Sequence, residues 1–187
     1  NYSDKIIRKE EGTFRMIFAG NIGKFQALET IIDSIFFLKK NKFQFIIIGD
    51  GVKKNDLKKR AKKLLNKNIF FLDHMDILKV NDFISSSDLG VVSLENGIEK
   101  LAFPSKITSY LEFNCPLLVL ANEKSELSEI TKHYDIGIVQ NNLSPKDLSK
   151  KLISCIETKN FKVSYQDNIN IAMKSYFSKK NILDKWL

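Results

Sequence analysis

Cysteine and histidine are scarce in this chain of 187 residues, which contains two of each. Cys115 and Cys155 lack the spacing of metal ligands, and we expect both to be buried, reduced thiols, as in a cytosolic protein. Neither His74 nor His133 lies within metal spacing of another ligand, and no Asp-x-Asp pair could hold a divalent cation against a diphosphate. These absences predict a protein without a metal site.

Long apolar runs are also missing. No stretch approaches the roughly 18 residues that span a bilayer, and no signal-peptide core is present. The first residue is Asn1 instead of Met, and residues 1–12 are polar, as in an interdomain connection. We therefore expect a cytoplasmic domain cut from a longer protein, with 1–12 as a linker remnant and 13–187 as one folded domain with a C-terminal helix.

Several motifs of nucleotide-binding and catalytic sites do not occur. The segment Gly20-Asn21-Ile22-Gly23 does not match the Gly-x-Gly-x-x-Gly fingerprint, and no Gly-Lys-Ser/Thr phosphate loop is present. The Gly-x-Ser-x-Gly elbow is missing too, so serine hydrolysis has no support. These absences exclude the best-known sequence signatures, but they leave open a ligand held by looser motifs.

Short apolar runs recur along the whole chain and alternate with segments of helical spacing. They predict six strands, at 14–19, 43–48, 69–72, 88–94, 116–121 and 136–139. Strands that alternate with helices indicate a doubly wound α/β fold, with a mostly parallel sheet, helices on both faces and right-handed crossovers. Such folds bind their ligands beyond the carboxyl ends of the strands.

Three of the predicted strand ends carry glycines or the start of a helix. They are the segments 20–23, 49–51 and 103–106. Pro104 and Ser105 are helix start signals, and Lys106 follows in the first turn. A helix N-terminus beside a lysine favours an anion such as phosphate, although an ordinary capped helix is the alternative. Exposed backbone N–H groups at all three ends would favour a nucleotide or another phosphorylated ligand.

Positive charge is in excess, with a net charge of +8 and a pI near 9.3. Much of the excess lies in one run with apolar residues at helical spacing, and its cations are Lys53, Lys54, Lys58, Lys59, Arg60, Lys62, Lys63 and Lys67. We interpret them as the solvated face of an amphipathic helix, with attraction to an anionic membrane surface as the functional alternative. Nucleic acid is not expected, because no binding motif or stacking aromatic pattern accompanies the charge.

A set of short motifs follows in a fixed order. They are Gly20-Asn21-Ile22-Gly23 ahead of Gln26 and Leu28-Glu29, then Gly49-Asp50-Gly51, then Phe103-Pro104-Ser105-Lys106 with Tyr110-Leu111 and Pro116. In order and spacing they resemble the C-terminal half of the GT-B glycosyltransferases of family 4. The resemblance is nearest to bacterial enzymes that build capsule, O-antigen and colanic-acid polysaccharides, and it covers nearly the whole chain.

The resemblance implies a Rossmann-like domain that binds a nucleotide-sugar donor, with the N-terminal acceptor domain missing. The donor phosphates and sugar would contact Gly20, Asn21, Gly23, Lys24, Phe103, Pro104, Ser105 and Lys106. The nucleoside would contact Gly49, Asp50, Gly51, His74, Met75 and Ser109. The donor is expected to be UDP-linked, on family frequency alone, and no metal or other cofactor is expected.

The chain departs from the family at charged positions. Many members place Arg and Lys in the first loop, where this chain has Asn21 and Gln26, so we expect Lys106 to supply the missing cation. Many members also carry two glutamates seven residues apart, where this chain has Leu101 and Ser109. Either Glu95 or Glu99 could replace the first glutamate as a sugar contact, or both could be surface charges.

The resemblance thus implies half of a retaining glycosyltransferase, inactive when isolated, that moves a sugar to a polysaccharide or lipid-linked acceptor at the inner face of the membrane. Two alternatives stay open. A sugar-nucleotide epimerase would share the fold, but no acid and histidine set for proton transfer is found. A non-catalytic nucleotide-sugar-binding subunit that needs a partner chain would explain the lost glutamate pair.

Overall fold

The computed structural model describes residues 7–24, 27–38, 42–93, 106–141 and 144–178. The strands in these ranges are β1 Phe14–Ala19, β2 Phe43–Ile48, β3 Ile69–Leu72, β4 Leu89–Ser93, β5 Leu117–Leu120 and β6 Gly137–Gln140. The helices are α1 Leu28–Ile35, α2 Lys54–Arg60, α3 Ile77–Ser85, α4 Lys106–Glu112, α5 Glu126–His133, α6 Pro145–Glu157, α7 Phe161–Ser164 and α8 Gln166–Ser175.

All paired strands are parallel, and they form one sheet in the order β3-β2-β1-β4-β5-β6. The chain builds outward from β1 in one direction and then returns to place β4 on the other side of β1. The boundary between β1 and β4 is therefore the topological switch point, where sheets of this kind leave a crevice for ligands. The predicted doubly wound α/β fold is confirmed.

Two buried clusters cover the two faces of the sheet. Alternate residues of a strand point to opposite faces, so Met16 and Phe18 lie in one cluster and Ile17 lies in the other. The first cluster is completed by α1, α2 and α6, and the second by α3, α4, α5 and α8. Burial on both faces explains why the strands are continuous apolar runs in the sequence and not an alternation of apolar and polar residues.

Capping side chains begin three of the helices. Asp76, Ser125 and Ser144 precede α3, α5 and α6, and each side chain accepts a hydrogen bond from the backbone N–H three residues later. Each cap satisfies an N–H group that the helix itself leaves without a partner, which stabilises the helix by about 1 kcal/mol.

Strand ends differ from the predictions by one or two residues. The run predicted at 116–121 shortens to β5, Leu117–Leu120, and the run at 136–139 becomes β6, Gly137–Gln140. Ile136 is not part of β6, because its N–H donates to the carbonyl of Thr131 at 3.1 Å and so closes the end of α5. The run predicted at 88–94 is β4, Leu89–Ser93, and residue 94 lies outside the described residues.

Residues ahead of β1 are tied to the fold through Arg15, which is only 2% exposed. Its Nη2 donates to the carbonyl of Ile7 at 2.7 Å, and its Nη1 donates to Ser86 Oγ at 2.8 Å. Lys9 forms an ion pair with Asp88 at 2.5 Å. The linker role of residues 1–12 stays a prediction, and the C-terminal residues 179–187 lie outside the described residues.

Both cysteines are buried free thiols, as expected, and burial raises the pKa of Cys115 to about 12 and that of Cys155 to about 11. Within the described residues, no helix is both long enough and apolar enough to cross a bilayer.

Candidate functional site

The loop after β1 and the loop after β2 are hydrogen-bonded to each other, so they continue the pairing of the two strands. The N–H of Gly20 donates to the carbonyl of Ile48 at 2.9 Å, and the N–H of Ile22 donates to the carbonyl of Asp50 at 2.8 Å. The two loops therefore extend the carboxyl edge of the sheet as one paired unit, beside the switch point.

Two glycines of the second loop allow this close approach. A Cβ atom on Gly49 would lie 2.0 Å from the carbonyl oxygen of Gly20, and one on Gly51 would lie 2.4 Å from that of Ile22. Both positions also have a positive φ, of 137° and 152°, which side chains rarely tolerate. The glycines are thus needed for packing one loop against the other.

This arrangement corrects one expectation from the sequence. The N–H groups of the glycines were expected to face a ligand, but those of Gly20, Gly49 and Gly51 donate within the protein, to Ile48, Leu72 and the Asp50 side chain. Among the described residues, the N–H groups of Asn21 and Gly23 have no acceptor, so these two remain for a ligand. The predicted ligand contacts of the other three glycines would have to use other atoms.

Lys106 reaches across the switch point from α4 to the first loop. Its Nζ lies 4.3 Å from the centre of the Phe18 ring, and a Cβ atom on Gly20 would lie 3.0 Å from the same Nζ. Burial lowers the pKa of Lys106 to about 8. In the described part of the chain, no carboxylate pairs with this ammonium. A partly desolvated cation without a counter-ion is a favourable place for an anion.

Tyr110 fixes the position of α4, and so of Lys106 one turn earlier. The hydroxyl of Tyr110 accepts a hydrogen bond from the N–H of Ala19 at 3.0 Å, at the end of β1. Its ring lies directly on β4, because a Cβ atom on Gly90 would come within 2.7 Å of the ring carbons. Tyr110 therefore bridges the two strands that flank the switch point. In the sequence, Tyr110 was only part of the Tyr110-Leu111 motif, and Gly90, a glycine inside an apolar strand, is the signal that could have suggested its neighbour.

Ser93, at the end of β4, is a second residue that sequence reasoning missed. Its side chain is buried at the carboxyl edge, and its Oγ has no hydrogen-bond partner among the described residues. Buried hydroxyl groups normally have a partner. Ser93 thus places an unused polar atom at the end of the strand beside β1.

Lys54 ties the loop after β2 to the loop after β3. Its Nζ donates to the carbonyl of Gly49 and to Asp73 Oδ1, both at 2.7 Å. The hydrogen bond and charge of Lys54 lower the pKa of Asp73. Lys54 was predicted to belong to the solvated basic face, and this prediction is wrong, because the residue is 7% exposed. It instead brings the third strand end, with His74 and Met75, next to the second.

Similarity to known proteins identifies the family to which the chain belongs. The family described as Glycosyl transferases group 1 matches residues 3–171. The chain belongs to this family. The predicted recognition is thus confirmed, and the roles of the individual motif residues stay predictions.

Relatives of this group 1 glycosyltransferase domain include a probable glycosyltransferase, WbjE, of Pseudomonas aeruginosa. The two are 29% identical over 120 residues, which cover 64% of this chain and 30% of WbjE. An uncharacterized glycosyltransferase of Methanocaldococcus jannaschii, MJ1069, is 25% identical over 186 residues, or 97% of this chain and 46% of that protein. The putative colanic acid biosynthesis glycosyl transferase WcaI of Escherichia coli is 28% identical over 121 residues, or 64% and 29%. The chain therefore spans less than half the length of these relatives.

Solved structures have the same fold. The C-terminal domain of a group 1 family protein, LpcC, from Francisella tularensis superposes with a TM-score of 0.70 at 16% identity, covering 87% of this chain and 86% of that domain. Alr3699/HepE of Anabaena, in complex with UDP and glucose, gives a TM-score of 0.68 at 14% identity, covering 87% and 44%. At these identities the likeness shows the fold alone.

In this group 1 glycosyltransferase domain, the structure brings Gly20, Asn21, Gly49, Gly51 and Lys106 together. Of the other predicted site residues, Lys24, Asp50 and His74 are exposed, and Gly23, Met75 and Ser109 are half-buried. No hydrogen bond or ion pair in the described residues joins Lys24, His74 or Ser109 to Lys106. The predicted contacts Glu95, Glu99, Phe103, Pro104 and Ser105, together with Leu101 and Gln26, lie outside the described residues.

The described ranges contain no group of three or more His, Cys, Asp or Glu side chains that could hold a metal ion. The expectation that the site works without a metal stays a prediction.

Proposed function

We propose that this chain is the donor-binding half of a retaining glycosyltransferase that uses a nucleoside diphosphate sugar. The observation that carries the proposal is the ammonium of Lys106, which lies on Phe18 and over Gly20 at the switch point and has no carboxylate partner in the described residues. An ammonium has three N–H donors, and the aromatic ring occupies only one side of it. The remaining donors are available to the diphosphate of a donor.

The chemistry of glycosyl transfer needs positive charge at this point. Departure of the nucleoside diphosphate leaves oxocarbenium-like charge on the sugar and new negative charge on the diphosphate. A fixed cation stabilises that charge as it develops, so it lowers the barrier without a metal. Our proposal assigns this role to Lys106, with the N–H groups of Asn21 and Gly23 as additional donors.

What is known of two similar proteins supports a choice of donor nucleotide and acceptor. Alr3699/HepE is described in complex with UDP and glucose, and WcaI is described as acting in colanic acid biosynthesis. We therefore propose a UDP-linked donor and a polysaccharide or lipid-linked acceptor, with the enzyme in the cytoplasm at the inner face of the membrane. The nucleoside would lie toward the loops after β2 and β3, where Lys54 holds Gly49 and Asp73 together.

A direct test is the binding of UDP and UDP-glucose to this chain by titration calorimetry or ligand-detected NMR. We expect weak but measurable binding by either method, and a protein-detected NMR titration should show chemical-shift changes at residues 20–24 and in α4. The absence of binding of any nucleoside diphosphate at millimolar concentration would refute the donor-site assignment, whatever the activity of a longer protein.

A further inference from the structure

The ends of α1 and α2 lie side by side at the amino edge of the sheet, opposite the edge that carries Lys106. Each helix connects the carboxyl end of one parallel strand to the amino end of the next, so both run back across the sheet. Two ion pairs join the helices, Lys53 to Glu29 at 3.6 Å and Arg60 to Asp33 at 2.5 Å. The second pair lies near the end of each helix, so the residues that follow Asp33 and Arg60 lie close together.

Two adjacent phenylalanines follow α1 and remain exposed. Phe36 is 42% exposed and Phe37 is 49% exposed. Their N–H groups donate to the carbonyls of Asp33 and Ser34, at 3.3 and 3.1 Å, so they continue the helical turn. Because they come three and four residues after Asp33, they extend the stripe of α1 that faces α2. Folding therefore leaves two neighbouring aromatic side chains partly in water, near the end of α2.

Exposed lysines lie at the end of α2, which the Arg60–Asp33 ion pair places near the end of α1. Lys59, Lys62 and Lys63 are exposed and lie three and four residues apart, so they share one surface of α2 and the turn after it, and Lys67 is exposed just before β3. Over the described residues, none of the four forms an ion pair. Their only acidic neighbour between residues 53 and 68 is Asp56. The surface therefore combines exposed aromatic side chains with positive charges that no described acidic side chain pairs.

The start of β2 and the start of β3 hold the two halves of this surface together. The N–H of Phe45 donates to the carbonyl of Asn68 at 2.7 Å, and Asn68 Nδ2 donates to the carbonyl of Phe43 at 2.9 Å. The segment that carries Lys67 is thus fixed against the strand that follows the two phenylalanines.

We propose that this surface docks the domain on an anionic lipid bilayer, through the patch formed by Phe36, Phe37, Lys59, Lys62, Lys63 and Lys67. A bilayer offers apolar depth directly beneath a layer of negative charge, and aromatic rings and lysines match these two layers. An acidic protein would pair with the lysines alone and leave the aromatic pair in water. A single-stranded nucleic acid can stack its bases on aromatic rings beside lysines, and the test below distinguishes it from a bilayer. The inference rests on this surface alone and does not depend on the proposed donor site.

Docking in this way has a geometric consequence. The patch lies at the amino edge and Lys106 at the carboxyl edge, which are separated by the six residues of β2, or about 20 Å at 3.3 Å per residue. The carboxyl edge would therefore face away from the lipid, and a water-soluble ligand could reach it from the aqueous side. Of the two proposed acceptors, this orientation favours a polysaccharide over a lipid-linked one.

Co-sedimentation of the whole chain with vesicles tests the proposal. We expect binding to phosphatidylcholine vesicles that contain about one third phosphatidylglycerol, weak binding to phosphatidylcholine alone, and loss of binding in about 1 M salt, where charges are screened beyond about 3 Å. Equal binding to both kinds of vesicle would overturn the proposal.

Two variants separate charge from apolar contact. The combined change Lys59→Glu, Lys62→Glu and Lys63→Glu should weaken binding to anionic vesicles by at least a hundredfold, at about fivefold or more per lysine. The change Phe36→Ser with Phe37→Ser should weaken it by roughly tenfold, and this loss should persist at every salt concentration at which binding is measurable. Binding unchanged in the phenylalanine variant would overturn the proposed insertion, even if the lysine variant failed to fold.

A matched control carries the same change of charge elsewhere. Lys124, Lys146 and Lys174 are exposed and lie outside the patch, and changing all three to Glu lowers the net charge by six, from +8 to +2, as the patch variant does. Circular dichroism would verify that the variants fold. An equal loss of binding in the control, or tighter binding of a single-stranded RNA oligonucleotide with the same dependence on the patch, would overturn the proposal.

Discussion

At the scale of single residues, Lys106 is the side chain on which donor binding is expected to depend most. Lys106→Ala should weaken UDP binding by roughly tenfold to a hundredfold, because a hydrogen bond to a charged group contributes about 1.5–3 kcal/mol and about 1.4 kcal/mol is a factor of ten. Affinity for uridine, which lacks the diphosphate, should barely change. Titration calorimetry with both ligands measures the difference.

The rival cation is Lys24, which is exposed on the first loop. Lys24→Ala therefore belongs in the same experiment, and we expect it to have the smaller effect. Lys106→Arg should recover only part of the loss, because the planar guanidinium is larger and directs its donors differently. An unchanged affinity in Lys106→Ala together with a large loss in Lys24→Ala would move the site to the first loop.

The pKa of Lys106 predicts how donor binding depends on pH. Burial lowers this pKa to about 8 in the free protein, and a bound diphosphate must raise it, because opposite charge favours the protonated form. Binding is therefore coupled to proton uptake, and UDP affinity should fall as the pH rises through 8. Affinity measured from about pH 7 to about pH 9.5 should decline in the wild type and stay level in Lys106→Ala. A decline of equal size in both would assign the titration to another group.

At the scale of elements, the docking of α4 against the sheet depends on Tyr110. Tyr110→Phe keeps the ring on Gly90 but removes the acceptor of the Ala19 N–H, so it should lower the free energy of unfolding by about 1–3 kcal/mol. Because Lys106 lies one turn earlier on α4, UDP affinity should fall as well. Denaturant unfolding and calorimetry measure the two effects.

Tyr165 offers a matched control. Its hydroxyl has no hydrogen bond within the described residues, so Tyr165→Phe should change neither stability nor affinity appreciably. If Tyr110→Phe behaved in the same way as this control, the bond to Ala19 would not hold α4 in place.

The elements themselves could be predicted because their causes are local. A strand buried on both faces is an apolar run such as 43–48, and the sequence contains that run whatever its partners are. Lys54 could not be predicted in the same way, since its partners Gly49 and Asp73 meet it only after three strand ends come together. For the same reason, the sequence showed the glycines at 49 and 51, but it did not show that the loop after β1 fills the space beside them.

In the candidate site, too, some features could be predicted from the sequence and others could not. Lys106 was predicted from its place after a strand and at a helix start, and its position at the carboxyl edge agrees with that prediction. Its contact with Phe18 and the bridge that Tyr110 makes from β1 to β4 depend on strand order, because β1 and β4 are neighbours that lie some seventy residues apart in the chain. Pattern and spacing carry no information about such a pairing until the switch point is known.

At the scale of the whole molecule, the proposed donor edge would form one side of a cleft. Transfer requires an acceptor held against the anomeric carbon of the donor, and the chain spans less than half the length of WbjE, MJ1069 and WcaI. We therefore expect that this chain binds a UDP-sugar but transfers no sugar. An assay with a radiolabelled donor and bacterial membranes as acceptor, run beside a binding titration on the same sample, measures both properties.

Fusion of the N-terminal half of a longer relative should then restore transfer, because it would supply the opposite wall of the proposed cleft. Turnover by the 187-residue chain alone would contradict the two-domain account while leaving the donor site intact. Binding without transfer in the fused protein, with transfer on addition of a separate partner chain, would instead favour a non-catalytic subunit. We expect the fusion to restore transfer, since a cation at the position of Lys106, where the proposed diphosphate would leave, would serve the reaction as well as the binding.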